Sequence, residues 1–269
     1  MTSSLALPAE AQSAQALYDG RYTAGYRETL SSYEVARWRA LAHFIPKVAR
    51  LSGAQRVLDF GCGSGLFAPL WRLVFPEATL HFVDISSVAI DQLRHRFPEH
   101  RERSGVFDID NRAPFQDCSF DAIVSVEVLE HVENLAVTLR EVARLLAPGG
   151  AFVWTTPCAN AGSIEHIFAG TTGQIEQSRT GERRWRWEEP THLRRLTTRQ
   201  MRQAMRGAGL RTKEIRHRAH LFSFLCDRLV QSRFPRLSER LMTLDYRLFR
   251  RAPCGASILG VAHRDGRVT

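Results

Sequence analysis

Two histidines lie beside carboxylates in this chain, at positions where they could move protons. His131 directly follows Glu130, and His192 ends the run Glu188-Glu189-Pro190-Thr191-His192. Imidazole titrates near neutral pH and gains a raised pKa beside carboxylates, so either histidine can serve as a general base. Each can equally make a structural hydrogen bond, His131 at a helix start and His192 at the edge of an inserted segment. We take both as candidate catalytic residues.

Metal-binding patterns are weak in this sequence. Glu127, Glu130 and His131 offer the ligand types of a hard-metal site, but no second acidic pair stands at a fixed spacing. The cysteines occur singly, which argues against a zinc cluster or a disulfide framework; they are Cys62, Cys118, Cys158, Cys226 and Cys254. The sequence therefore predicts no metal site.

A glycine-rich turn follows the first apolar strand. Gly61, Gly63 and Gly65 end the run Val57-Leu58-Asp59-Phe60-Gly61-Cys62-Gly63-Ser64-Gly65. Glycines here let the backbone turn sharply and approach a ligand without a Cβ in the way. Leu66 occupies the place of the third glycine of the dinucleotide fingerprint, and the turn offers no cation for a pyrophosphate. The turn therefore indicates a ligand other than a dinucleotide.

Asp84 ends the second predicted strand, in the run His81-Phe82-Val83-Asp84-Ile85-Ser86. An acidic residue at this place can accept both hydroxyls of a ribose, which is how this architecture holds nucleoside cofactors. The alternative is that Asp84 caps the helix that follows. Given the glycine turn one strand earlier, we favour the ribose interpretation.

These residues need a scaffold, and the pattern of residues 56–157 predicts one. Short apolar strands are expected over 56–60, 79–83, 105–109, 122–126 and 151–155, with helices over 66–74, 87–97 and 136–146. Pro148-Gly149-Gly150 is expected to form a turn before the fifth strand. This alternation predicts a doubly wound, mostly parallel α/β sheet, in which ligands bind beyond the carboxyl ends of the strands.

The flanking segments are expected to complete one domain over 16–269, after a loose tail over 1–15. Residues 16–50 predict N-terminal helices, and residues 158–191, which lack a long period, predict a lid. Beyond the lid, 192–269 predicts helices over 198–207, 221–233 and 237–249 with strands over 210–215 and 257–263. Trp185 and Trp187 of the lid can wall a substrate pocket or anchor the lid.

Composition and charge restrict the partners. The chain has 269 residues, 44% of them hydrophobic and 24% charged, as in a globular domain, and no apolar run spans a bilayer. The N-terminus lacks a secretory signal pattern, so we expect a cytoplasmic protein. The formal charge of +9 can come from arginines spread over solvated surfaces, which is the interpretation we favour, or can indicate an acidic partner such as nucleic acid. The arginines of 221–250 leave open a nucleic acid, a peripheral membrane contact, a dimer seam or a cap on the substrate cleft. No RNA-binding module accompanies them, so we prefer the cap and expect no nucleic acid.

Taken in order, these motifs resemble the class I S-adenosylmethionine-dependent methyltransferase superfamily. The glycine run matches its first motif, Asp84 its ribose acid, and Phe107-Asp108-Ile109 its adenine-side motif. Ser119-Phe120-Asp121-Ala122-Ile123-Val124 resembles its fourth strand, and Val128-Leu129-Glu130-His131-Val132 resembles the branch of ubiquinone-pathway O-methyltransferases. Leu145-Leu146-Ala147-Pro148-Gly149-Gly150 matches a further turn, with Ala147 in place of the usual basic residue.

The resemblance implies a seven-stranded Rossmann-like sheet with one antiparallel strand, and S-adenosyl-L-methionine as cofactor. It implies that N-terminal helices close over the cofactor, whereas the alternative for Tyr22, Tyr26, Tyr33 and Arg37 of this segment is that they pack against the sheet. The cofactor contacts it implies are Tyr26, Arg37, Asp59, Gly61, Cys62, Gly63, Asp84, Ile85, Asp108, Ile109, Val126 and Glu127. We expect methyl transfer to a small-molecule acceptor, at a hydroxyl oxygen, by a monomer or homodimer. The alternatives are an RNA or protein methyltransferase and a cofactor-binding subunit without catalysis.

Overall fold

A seven-stranded sheet forms the centre of the computed structural model, which describes residues 9–48, 51, 53–108, 112–226 and 233–264. The strands are β1 (Arg56–Phe60), β2 (Thr79–Asp84), β3 (Ser104–Val106), β4 (Phe120–Val126), β5 (Leu146–Pro157), β6 (Ile175–Gln177), β7 (Arg183–Trp185), β8 (Leu210–Arg218) and β9 (Ser257–Arg264). The order in the main sheet is β3-β2-β1-β4-β5-β9-β8, and β6 pairs with β7 separately. Strand β9 runs antiparallel to both of its neighbours, β5 and β8, and the other pairs of the main sheet are parallel. The predicted fold class is confirmed.

Helices cover both faces of this sheet. They are α1 (Ala9–Thr23), α2 (Ser32–Val48), α3 (Ala68–Val74), α4 (Ser87–Arg96), a 3-10 helix (Pro98–Arg103), α5 (Leu135–Leu145), α6 (Ile164–Thr171), α7 (Thr198–Gly207), α8 (Phe222–Leu225) and α9 (Pro235–Phe249). Successive strand residues point to opposite faces, so Val57 packs with α2, α3 and α4 whereas Leu58 packs with α5 and α7. The central strands are therefore buried on both sides.

Some predicted boundaries were wrong. Helix α1 begins at Ala9, inside the segment predicted to be a loose tail, and the third strand is shorter than expected. Pro148-Gly149-Gly150 lies within β5 instead of before it, and the pairing of β4 with β5 shifts register there. Gly149 has a φ of +76°, which allows a bulge to replace the predicted turn.

The segments around the sheet are more regular than their sequences suggested. The predicted lid over 158–191 contains α6 and the hairpin β6–β7. Helix α7 begins with a capping box made by Thr197 and Gln200, as its boundaries predicted. The helix predicted over 221–233 is seen as α8 alone, and residues 227–232 lie outside the described part. Within that part, no helix has the length and apolar character needed to cross a membrane.

Candidate active site

The glycine turn lies at the carboxyl end of β1 and is fixed against β2. The amides of Gly61 and Cys62 both donate hydrogen bonds to the carbonyl of Val83, at 2.9 and 3.0 Å. Gly61 and Gly63 have φ angles of +80° and +53°, which disfavour other residues. A Cβ on Gly61 would lie 2.5 Å from Cγ2 of Val128, and one on Gly63 would lie 2.5 Å from the Tyr22 hydroxyl. The turn thus requires glycine for its shape and for its close neighbours.

Asp84 connects the second strand to this turn. Its Oδ2 accepts a hydrogen bond from the Gly63 amide at 2.8 Å, and its Oδ1 accepts one from the Ser86 amide at 2.9 Å. Burial raises the pKa of Asp84. Ser86, not Asp84, caps α4, so the alternative interpretation of Asp84 as the helix cap is wrong. Each carboxylate oxygen has two acceptor sites, so both retain one for a ligand hydroxyl.

Helix α1 closes one side of the turn through a contact that the sequence did not reveal. Asp19 accepts hydrogen bonds from the Ser86 hydroxyl (2.6 Å), the Ser87 hydroxyl (3.0 Å) and the Val88 amide (3.2 Å), all at the start of α4. Its neighbours Tyr18 and Tyr22 are thereby held over the glycine turn. The only sequence signal was the helical spacing of the tyrosines.

These elements enclose a first cavity of about 100 Å³. Its walls contain the predicted cofactor contacts Tyr26, Asp59, Gly61, Cys62, Gly63, Asp84, Ile85, Val126 and Glu127, together with His131. Among the wall residues that the prediction did not include are Tyr18, Arg27, Glu34, Ser64, Leu66 and Phe67. We call this space the glycine cavity.

Two predicted cofactor residues lie elsewhere, and a third is outside the described part of the chain. Asp108 is buried but does not line the glycine cavity, and Ile109 lies outside the described residues. Arg37 lines a neighbouring cavity instead. Asp59 does face the glycine cavity, but its Oδ2 accepts a 2.6 Å hydrogen bond from the Trp71 indole. This hydrogen bond anchors α3 beneath the turn, and burial raises the pKa of Asp59 to about 7.

A second cavity, of about 610 Å³, adjoins the first and shares Tyr26, Arg27, Glu34 and Glu127 with it. We call it the acceptor cavity. Its further walls include Tyr33, Arg37, Trp187, Glu188, His192 and Arg195. Trp187 therefore faces this space, whereas Trp185 is fully buried against Ala159 and Ala169 and anchors the lid.

Glu127 separates the two cavities at the end of β4. Its φ of +56° is rare for a residue with a side chain, and such strain persists only where neighbours hold it. Arg37 lies 2.8 Å from its Oε2, and the Thr155 hydroxyl donates to its Oε1 at 2.8 Å. Although burial acts to raise it, Arg37 and Arg218 hold the pKa of Glu127 below its ordinary value. Glu127 therefore places an ionised carboxylate in the wall that the two cavities share.

His131 and His192 meet at the boundary of the cavities, with ring centroids 4.7 Å apart. His131 Nδ1 lies 3.0 Å from the Thr191 carbonyl and must donate to it, and burial with the nearby His192 lowers the pKa of His131 well below its ordinary value. His192 Nδ1 lies 3.3 Å from Glu188 Oε1. Although burial acts to lower it, this contact with Glu188 raises the pKa of His192. The pKa values of the two imidazoles are thus shifted in opposite directions.

Glu130 lies beside both histidines and is fully buried. Burial, with Glu127 nearby, raises its pKa to about 8, so it is protonated at neutral pH. Its Oε2 accepts a hydrogen bond from the Thr156 hydroxyl at 3.1 Å. One ligand atom from each of Glu130, His131 and His192 lies within 4.8 Å of the others, so this group of described residues could hold a cation. The predicted absence of a metal stays a prediction.

Two arginines of the segment after the lid position this cluster, and sequence reasoning missed both. Arg194 is buried and donates to the carbonyls of Leu129 (3.0 Å) and Glu133 (3.1 Å), which fixes the turn that carries His131. Arg195 lies 2.6 Å from Glu188 Oε1 and 3.0 Å from Glu165 Oε2. Although burial acts to raise it, Arg195 and His192 hold the pKa of Glu188 at about 2. Glu188 is therefore ionised opposite His192.

Comparison with known families gives a match to a model described as a methyltransferase domain. The match covers residues 30–215, which include most of the residues that line the two cavities and exclude α9. It extends the resemblance seen in the motifs to most of the chain.

Curated relatives match over shorter stretches. The chain is 34% identical over 125 residues to a ubiquinone/menaquinone biosynthesis C-methyltransferase of Desulfotalea psychrophila, covering 46% of the chain and 49% of the relative. It is 31% identical over 151 residues to a malonyl-[acyl-carrier protein] O-methyltransferase of Erwinia pyrifoliae, covering 56% and 53%. The chain thus spans about half the length of these relatives.

Among solved structures, the [4+2]-cyclase SpnF superposes with a TM-score of 0.62 at 18% identity, covering 95% of this chain and 96% of that one. This likeness shows the fold alone, since a fold supports many chemistries.

Proposed function

This chain belongs to the family of methyltransferase domains, and from that premise we propose that it transfers a methyl group from S-adenosyl-L-methionine to an oxygen of a small-molecule acceptor. The observation that carries the proposal is the pair of adjoining cavities that share Glu127. One is built around the glycine turn and Asp84, and the other is lined by His192.

The residues of the glycine cavity fit the cofactor. Asp84 has an acceptor site left on each oxygen, which suits the two hydroxyls of a ribose. The turn at Gly61 and Gly63 has no Cβ to block a close approach, and Tyr18 and Tyr22 of α1 cover it. When bound, the cofactor supplies a reactive methyl group on a sulfonium. The protein then needs to bind, orient and exclude water.

The acceptor cavity suits a small molecule with both apolar and polar parts. Trp187 and Tyr33 offer aromatic surface, and the shared wall at Glu127 brings a bound molecule next to the glycine cavity. A hydroxyl acceptor keeps its proton at neutral pH and needs a base, whereas a carboxylate does not. His192 supports the hydroxyl alternative, because it faces this cavity.

Proton transfer in this proposal runs from the acceptor hydroxyl to Nε2 of His192. Nδ1 already faces Glu188 at 3.3 Å, so Nε2 is the nitrogen available to the acceptor. The ionised Glu188 then stabilises the imidazolium, as a carboxylate behind a histidine does in other enzymes. His131 stays neutral, and its place at the wall of the glycine cavity suits it to position the acceptor.

The test is transfer of a labelled methyl group from S-adenosylmethionine to a panel of phenols, aliphatic alcohols and carboxylic acids. We expect a hydroxyl compound to be labelled, and His192→Gln to lower kcat by about 10²–10⁴-fold. The matched control His95→Gln, on the exposed surface of α4, should act as wild type. Labelling of carboxylic acids alone, unaffected by His192→Gln, would contradict the hydroxyl assignment.

A further inference from the structure

Helix α9 lies beyond the part of the chain that matches the family model, and its outer face is unlike the rest of the surface. Its inner face buries Ser238, Met242, Asp245 and Tyr246 against the body of the protein. The outer face exposes Leu237, Leu244 and Leu248, whose exposed fractions are 49%, 43% and 61%. We call these three leucines the apolar stripe.

The apolar stripe is continuous along the helix. With 3.6 residues per turn, the three leucines fall within about 40° of one another around the axis. Phe234, just before the helix, is also exposed and adds apolar surface ahead of its first turn. An apolar patch of this length, unlike a single exposed leucine, marks an interaction surface.

A row of arginines flanks the stripe on one side. Arg236, Arg240 and Arg247 are exposed and lie about 60–100° around the helix from Leu237. Arg233 and Arg251, just outside the two ends of the helix, are exposed as well. The outer face therefore combines a leucine row with a row of positive charges.

Both carboxylates of the helix are turned away from this face. Glu239 lies 2.5 Å from Arg39 of α2, and Asp245 is fully buried and accepts hydrogen bonds from His220 and from the amides of Leu221 and Phe222. The arginines of α9 thus have no acidic partner on their own helix to neutralise them.

We propose that the outer face of α9 docks on an anionic lipid bilayer, with the apolar stripe at the boundary of the acyl chains and the arginines among the headgroups. A helix with a leucine row beside a basic row suits that interface. A nucleic acid would use the arginines and leave the leucines in water. A second copy of this chain would place arginine rows of the same sign close together.

The start of α9 is also connected to the wall of the acceptor cavity. The Ser32 hydroxyl donates to the Pro235 carbonyl at 3.1 Å, which ties the start of α9 to the start of α2. Ser31 and Tyr33, on either side of Ser32, line the acceptor cavity. The proposed membrane contact holds whatever reaction the cavity performs.

The test is co-sedimentation of the full chain with vesicles of phosphatidylcholine, with and without phosphatidylglycerol. We expect binding to the anionic vesicles only, weakened by salt because exposed charges are screened. Leu244→Glu with Leu248→Glu, and separately Arg240→Gln with Arg247→Gln, should each weaken binding at least about tenfold. The control Leu73→Glu alters an isolated leucine of α3 that is 62% exposed and should bind as wild type.

Three results would overturn the proposal. One is equal binding of the wild type and the leucine variant to anionic vesicles, or no binding by either. Another is binding to polyuridylate that depends on the arginine pair but not on the leucine pair. The last is a concentration-dependent dimer in light scattering that the leucine variant abolishes. Unchanged calorimetric binding of S-adenosylhomocysteine to each variant shows that it is folded, and separates this proposal from that of methyl transfer.

Discussion

At the scale of single residues, the contact between His192 and Glu188 predicts how the rate of methyl transfer depends on pH. The pKa of His192 is raised, and a histidine must be neutral to accept a proton from a hydroxyl. The rate should therefore be low in acid and rise with pH through a midpoint above the ordinary value of 6.5. The measurement is the pH profile of kcat for methyl transfer.

Glu188→Gln provides a sharper form of this prediction. Removing the carboxylate removes the main cause of the raised pKa of His192, so the rise of kcat with pH, its acid limb, should move to lower pH. In His192→Gln this acid limb should be absent. Glu189→Gln is the matched control, because Glu189 pairs with Arg21 and should leave the limb in place. An acid limb that stays in place in Glu188→Gln would contradict the proposed role of His192.

Glu130 makes a prediction about stability. Burial, with Glu127 nearby, raises its pKa to about 8 in the folded protein, above the ordinary value of 4.5. The folded state then keeps a proton that the unfolded chain releases, so this residue makes stability fall as pH rises from about 4.5 to about 8. Glu130→Gln should flatten that part of the melting-temperature profile. Glu133→Gln, at an exposed glutamate, is the control and should leave the profile unchanged. If Glu130→Gln also leaves the slope of melting temperature against pH unchanged, Glu130 is ionised in the folded state.

Sequence reasoning found residues whose role depends on a local motif. Gly61, Gly63 and Asp84 could be predicted because the turn and the strand end that they occupy are set by neighbours in the chain. Asp19 and Arg194 could not, since each acts through contacts with distant segments. A lone aspartate in a helix, or an arginine in a basic stretch, gives no signal of such a partner.

At the scale of elements, α1 is the part most easily tested. Asp19 fastens it to the start of α4, and its tyrosines cover the glycine cavity. Loss of a capping carboxylate costs about 1 kcal/mol. Asp19→Ala should therefore weaken S-adenosylhomocysteine about fivefold and increase amide exchange in α1. The control is Asp91→Ala, which alters an exposed residue of α4. Equal amide exchange of α1 in both variants would show that Asp19 does not hold α1.

Helices whose ends are marked by capping residues and glycines had their boundaries predicted well, whereas segments without such residues did not. Helix α7 has Thr197 and Gln200 at its start and Gly209 after its end, so local chemistry defines it. The lid has no such pattern, and its hairpin is held by tertiary contacts such as those of Trp185 with Ala159 and Ala169. Strand β5 was predicted too short because the bulge at Gly149 resembles a turn in sequence.

At the scale of the whole molecule, the mostly parallel, seven-stranded sheet with one antiparallel strand was expected from the alternation of strands and helices and from the family resemblance. Each of β1, β2 and β4 ends at a residue that lines the glycine cavity or adjoins one that does, which is expected at the carboxyl edge of a parallel sheet. The acceptor cavity is built from α2, the lid and the start of β9, segments far apart in sequence. Its shape therefore could not be predicted, and neither could the acceptor.

The most direct test of the account is calorimetric titration of S-adenosylhomocysteine into the wild type and Asp84→Ala. Hydrogen bonds to a charged group contribute about 1.5–3 kcal/mol each, so losing two should weaken binding at least about hundredfold. The control Asp91→Ala should bind as the wild type does. Saturable binding to the wild type with that loss in Asp84→Ala is the predicted result. Absence of binding to the wild type, or equal affinity in both proteins, would contradict the assignment of the glycine cavity to the cofactor.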